Sequence, residues 1–194
     1  MKRQYVRWKT AAPLIRHADT LLYRRGGCLG SLVAKGGRGE WSHAGKALVW
    51  SLQVLVVDTY AIRGCTARLL GDEVRRYPGR IDVFEIVDRQ PDGRRYNRWA
   101  AGDWMIQLLG TRYGYWALLT AALLHLPIIR LFVRPSTEDN SHAPKRPPYC
   151  SMAVAMADRI GGGVDPVPRL ADRLTEPSDL ARSAAYRYRF TLVP

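Results

Sequence analysis

Pro147-Pro148-Tyr149-Cys150-Ser151-Met152-Ala153-Val154-Ala155-Met156-Ala157-Asp158-Arg159-Ile160-Gly161 is the stretch on which the reading of this chain turns. Two prolines stiffen the approach. After Cys150, apolar residues at Met152, Ala153, Met156, Ala157 and Ile160 recur at three- and four-residue spacing, and Gly161-Gly162-Gly163 ends the pattern. That spacing predicts a helix with a cysteine at its start. The unpaired N–H groups and the positive end of the dipole there favour a thiolate, and can bring a cysteine pKa from about 8.5 toward neutrality. Two readings of Cys150 are open: a nucleophile, or a small buried hydrophobe beginning a core helix, as free cysteines commonly are. A histidine partner decides between them.

The chain has 194 residues, 47% of them hydrophobic, enough for one substantial core. A single domain over residues 1–194 is expected, with 1–17 as a basic lead-in and 134–148 as a polar loop. Lys and Arg outnumber Asp and Glu by 30 to 17, a net charge of +13 that draws the protein toward anions: phosphate head groups, cell-wall polymers or nucleic acid. Charge alone does not choose among them. The cysteines Cys28, Cys65 and Cys150 are odd in number and widely spaced, so they make neither a disulfide framework nor a metal knuckle. No metal or cofactor is called for. No apolar segment follows the basic residues Lys2, Arg3, Arg7 and Lys9, so no secretory signal is visible and a cytoplasmic location is the default expectation.

Outward from the cysteine helix, strands dominate the first half. Ala18–Arg24 reads as a short strand after an Asp-marked turn, Gly45–Trp50 as a buried strand with His43 at its entry, and Leu52–Tyr60 as a second Val-rich strand carrying the acid Asp58. A carboxylate in such a run must be paired or lie at the strand's wet end. Ile62–Gly71 continues as strand and turn, with Cys65 a core residue. Arg80–Val87 alternates apolar and charged residues and predicts a half-exposed strand. Asn97–Leu109 predicts a helix, and Arg187–Leu192 a closing strand. Strands followed by helices suggest a segregated α+β arrangement. Tyr115–Ile129 is the most hydrophobic stretch, but it holds His125 and Pro127 and falls short of the roughly 20 residues of a membrane span, which favours a buried or surface-inserted helix. His142 reads as solvated.

A cysteine hydrolase needs a thiolate, a histidine to take and return its proton, and a polar group that holds the imidazole. Cys150, His43 and Asp58 are the candidates. Ser42, Ala44 and Gly45 are small and leave room beside the His43 ring, and a hairpin from His43 to Asp58 sets the two on adjacent strands. The N–H of Cys150 is a candidate oxyanion donor. Tyr149 and Ser42 are weaker candidates for oxyanion or substrate contacts, Tyr149 being equally readable as packing.

Asp19-Thr20-Leu21-Leu22-Tyr23-Arg24, Trp41-Ser42-His43-Ala44-Gly45, Val56-Val57-Asp58-Thr59, Gly110-Thr111-Arg112-Tyr113-Gly114-Tyr115, Tyr149-Cys150-Ser151 and Thr175-Glu176-Pro177-Ser178-Asp179-Leu180 follow one another in an informative order. The series resembles the circularly permuted branch of the NlpC/P60 papain-like superfamily, its YiiX/YaeF-like group. There a GD strand opens the fold, the histidine sits in an SHxG strand, an acid on the next strand is the third residue, and the cysteine comes late at a helix start. This chain departs from that pattern in having Ala18 for the opening glycine, Asp58 for the usual glutamate and Met152 for an acid in the cysteine helix. The resemblance implies an α+β fold of permuted papain-like (NlpC/P60) type, a small antiparallel sheet packed on helices. It implies a cysteine amidase, peptidase or acyl hydrolase working through a thioester, with Cys150, His43 and Asp58 as its triad. The expected partner is a peptide or acyl-lipid substrate, cell-wall peptides being the superfamily's best-known ones. The apolar Tyr115–Ile129 stretch beside a basic surface suits a lipid substrate and peripheral contact with an anionic membrane. The competing class is a non-catalytic basic protein binding nucleic acid or anionic membrane, with Trp8, Trp41, Trp99 and Trp104 as stacking surfaces. Its arginines form no stripe, which disfavours nucleic acid.

Overall fold

The two Val-rich runs form the hairpin from which the fold is built. In the computed structural model, which describes residues 2–24, 39–90, 92–115, 147–168 and 170–194, the strands are β1 (Tyr5–Arg7), β2 (Thr20–Arg24), β3 (His43–Trp50), β4 (Gln53–Tyr60), β5 (Gly64–Leu69), β6 (Arg80–Ile86) and β7 (Tyr186–Val193). The helices are α1 (Trp8–Ala11), α2 (Leu70–Arg76), α3 (Arg98–Gln107), α4 (Cys150–Met156) and α5 (Pro177–Arg182). A π-helical turn, Ala157–Gly161, continues α4. The strands make one seven-stranded sheet in the order β1-β7-β6-β2-β3-β4-β5. Ser51, in the left-handed region at φ 53, closes the tight β3–β4 turn. Cys28, His125, His142 and residues 116–129 and 134–146 lie outside the described residues.

The fold is α+β, and side-chain alternation gives the sheet two apolar faces. On one, Leu21, Tyr23, Ala47, Val56, Ile81 and Val83 pack against Ala11, Leu70 and Val74 of α1 and α2. On the other, Leu22, Ala44, Phe84 and Ile86 meet Ala101 of α3, Val154 and Ala155 of α4 and Leu180 of α5. Leu48, Val57 and Cys65 extend that second face against Met105, Ala153 and Ala157. Among the described residues no helix is long and apolar enough to cross a membrane.

Four expectations need correction. The sheet is neither small nor wholly antiparallel, because residues 5–7 of the expected lead-in pair in parallel with β7. Three residues are too short to show a period-two signal, and only the open edge of β7 makes them a strand. β5 fills the expected strand, but a helix, α2, stands in place of the turn expected at Gly71. Its Gly71 sits against the Trp8 indole, where a Cβ would come within 2.8 Å of Nε1. β6 is central rather than half-exposed, and its acids are buried. Arg24 Nε at 2.6 Å, Trp41 Nε1 at 2.8 Å and Thr191 Oγ1 at 2.6 Å all donate to Asp82, while Arg187, Arg16, Arg98 and Arg189 surround Glu85. Ala18, where the resemblance expects glycine, holds φ 61 with its methyl fully buried.

A buried ion pair ties the second layer to the sheet. Lys46 of β3 and Asp158 of the π turn are fully buried and 2.6 Å apart. Lys46 Nζ also donates to Thr20 Oγ1 at 2.7 Å and Ala18 O at 3.1 Å, while the Tyr96 and Tyr186 hydroxyls donate to Asp158. Every charge there has a partner, the condition under which a buried pair is tolerated. Asp158→Ala is expected to cost about 3–5 kcal/mol in urea unfolding, because it leaves a buried ammonium uncompensated. Lys46→Met combined with Asp158→Ala should recover part of that loss.

Candidate active site

His43 is the first residue of β3 and pairs with Tyr23 at the end of β2. Strand register puts Tyr23, His43, Gly45, Asp58 and Tyr60 on one face, while α4 lies across the other. A histidine in mid-strand would be screened from the helix by the sheet. At the strand's end no sheet intervenes, and the His43 ring comes near enough to the Cys150 sulfur to act on it by hydrogen bonding and charge. Backbone N–H groups of Ala44 and Ser151 also donate to that sulfur.

The other face of the imidazole is anchored too. His43 Nε2 lies 3.0 Å from Asp58 Oδ2, and Asp58 is 1% exposed. The Cys150 sulfur and the carboxylate therefore bracket one ring, so the three sequence candidates meet in space. Gly45 explains how Asp58 approaches so closely: a Cβ there would lie 2.8 Å from Asp58 Cβ. The room left by Gly45, two residues after His43, is thus filled by the acid.

The electrostatics favour a charged pair. Burial pushes the His43 pKa down, but the Cys150 thiolate and the Asp58 carboxylate raise it from its ordinary 6.5 to about 10. Burial pushes the Cys150 thiol up, yet the His43 charge and hydrogen bond and the two backbone N–H groups outweigh it and bring the thiol below its ordinary value. Cys65 has no such cation, and its burial drives it up to about 11.

The residues flanking these three have structural tasks. Tyr149 is 3% exposed, and its hydroxyl donates to the carbonyls of Arg173 at 2.8 Å and Thr175 at 3.3 Å. Ser151 Oγ donates to Thr175 O at 2.6 Å. Together they fasten the first turn of α4 on either side of the cysteine. Ser42 N–H donates to Tyr23 O at 2.9 Å, extending the β2–β3 ladder up to His43.

Sequence reasoning missed a supporting cluster behind Asp58. Arg68 Nη2 donates to both Asp58 oxygens, at 2.9 and 2.8 Å, and Nη1 to Glu73 Oε2 at 2.7 Å. The Arg68 guanidinium lies 4.6 Å from the centre of the Tyr60 ring, and Tyr60 lies 4.4 Å from the His43 ring. Tyr60 was findable, being two residues beyond Asp58 and so on its face of the strand. Arg68 was not, because its strand register is set by pairing.

No family profile matches the chain, and no curated protein matches its sequence. Its fold has a counterpart in a solved structure. The crystal structure of metalloprotein yiiX from Escherichia coli O157:H7 superposes with a TM-score of 0.58 at 11% identity, covering 92% of this chain and 98% of that one. At that identity the likeness concerns the fold alone.

Alkylation of Cys150 by iodoacetamide, followed by mass spectrometry, should set in at lower pH than for an ordinary thiol while Cys65 stays unreactive in the folded protein. With His43→Ala only burial and backbone remain, so the onset should move up by about one unit or more. Asp58→Asn removes a charge that raises the imidazole, and the step near pH 10 should fall by about one unit. Gly45→Ala, which pushes Asp58 away, should shift that step in the same direction.

Proposed function

We propose that this protein is a cysteine hydrolase of permuted papain-like fold, cleaving an amide or ester bond through a thioester. The observation that carries the reading is the His43 ring, near enough to the Cys150 sulfur to act on it by hydrogen bonding and charge and held 3.0 Å from Asp58. The order of elements supports it: the histidine and acid strands precede the cysteine helix, as in the permuted NlpC/P60 group, and the yiiX likeness extends over nearly the whole chain.

The Cys150 thiolate attacks the carbonyl carbon, and negative charge gathers on the carbonyl oxygen. The N–H of Cys150, first in its helix and without an intrahelical acceptor, is the donor offered to that oxygen. Collapse expels the amine or alcohol, which takes the His43 proton, and leaves an acyl group on sulfur. Neutral His43 then accepts a proton from water as the water attacks the thioester. The acid departs, and the thiolate–imidazolium pair is restored. Asp58 keeps Nε2 oriented throughout, and Arg68 keeps Asp58 oriented.

The fold's counterpart is described as a metalloprotein. Here Asp58 Oδ2 meets His43 Nε2 and both Asp58 oxygens accept from Arg68, so the carboxylate is already taken up by protein groups. Among the described residues no group of three His, Cys, Asp or Glu side chains is arranged to hold a metal ion. No step of the scheme passes through a metal.

Much of the basic excess serves the fold: Arg24, Arg68, Arg98, Arg159 and Arg189 are all bonded to carboxylates. A nucleic-acid reading therefore draws no support from them. The substrate is expected among peptides or acyl esters. Incubation with a peptide p-nitroanilide panel and a p-nitrophenyl acyl-ester panel should yield an acyl adduct on Cys150 by mass spectrometry. Cys150→Ala should abolish turnover, and Asp58→Asn should lower it by about 10²–10⁴-fold. Turnover that survives Cys150→Ala would sink the proposal.

A further inference from the structure

On the far side of the Asp58 cluster, the β4–β5 turn and the end of α2 border an open cavity of about 400 Å³. Arg63, Arg68 and Arg76 line it, with Tyr60 and Tyr77 as aromatic walls and Glu73 as its single acid. Arg68 is compensated by Asp58 and Glu73. Arg63 and Arg76 are exposed and have no carboxylate partner among the described residues. Arg68 Nε is buried and has no acceptor. With Arg68 paired to Asp58 and Glu73, the Arg63 and Arg76 guanidinium groups are two positive charges on the lining without a carboxylate partner among the described residues.

That pair of charges matches a dianion, and guanidinium groups are suited to phosphate oxygens. The volume exceeds what a phosphate group alone fills, and the remaining wall is mostly apolar and aromatic. We infer that this cavity binds a phosphate monoester, its dianion held by Arg63 and Arg76 beside Arg68 and its organic part against Tyr60 and Tyr77. The occupant lies one side chain from Asp58 and His43: Arg68 holds Asp58, and the Tyr60 ring lies tilted against His43. None of this uses the thiol, so the inference stands apart from the hydrolase reading.

Calorimetric titration at pH 7.5 and low salt tests it, with phenyl phosphate, inorganic phosphate and phenol as probes; a phosphate monoester is mostly dianionic there. Phenyl phosphate should bind one to one, several-fold more tightly than inorganic phosphate, and phenol should not bind detectably. Arg63→Gln/Arg76→Gln should weaken phenyl phosphate by about tenfold or more. Arg89→Gln/Arg95→Gln removes the same charge from exposed positions outside the cavity and should change affinity by less than about twofold. All four arginines are exposed, so melting curves of both variants should overlay the parent's. Absence of phenyl phosphate binding overturns the inference. Equal weakening by the two double variants assigns the binding to net charge alone and also overturns it. Equal affinity for inorganic phosphate removes the monoester assignment.

Discussion

The contact between β3 and the segment from Cys150 to Gly161 is the constraint on which the remaining architecture depends. It is polar at both ends and apolar between. At one end Cys150 meets His43, and at the other Asp158 meets Lys46, three residues further along the same strand. Between them Ala153, Val154 and Ala157 pack on the sheet with small or branched side chains that allow close approach. Apolar packing alone would tolerate a helix sliding along its axis. Two desolvated polar pairs do not, because a slip would leave charges buried without partners.

The same principle governs the rest of the interior. Asp19, Asp58, Asp82, Glu85 and Asp158 are all buried, and each lies against Arg or Lys. Much of the arginine excess therefore acts as internal counter-charge. Arg98 alone bridges Asp19, Asp88 and the carbonyl of Ile86, joining α3 to the turn before β2 and the end of β6. The cavity beside α2 differs, since there the guanidinium groups outnumber the carboxylates.

How legible the site was follows from how its residues are placed. Cys150, His43 and Asp58 stood out because each is the odd residue in its surroundings: a thiol opening a helix, an imidazole opening a strand, an acid inside a valine run. Gly45 was visible as a small residue, but its partner was not, since only the strand pairing of Gly45 with Asp58 reveals what would fill the space. The acids of β6 misled for a related reason. Alternating charge reads as a wet face, and becomes a dry one only when Arg24, Trp41 and Thr191 arrive from elsewhere in the chain.

What the sequence determined by itself is what depends on near neighbours: the helix after Cys150, the β3–β4 hairpin, the helix begun near Asn97, and the strand-then-helix order behind the α+β class. The tertiary structure alone decided which strands pair beyond that hairpin, that residues 5–7 join β7 in parallel, and that Arg68 and Glu73 stand behind Asp58. It also decided that Cys150 and His43, 107 positions apart in the numbering (150 minus 43), touch at all. Local spacing fixes dihedral preference and face, whereas the partner of a buried charge is set by whichever distant group the packed chain brings within hydrogen-bond reach.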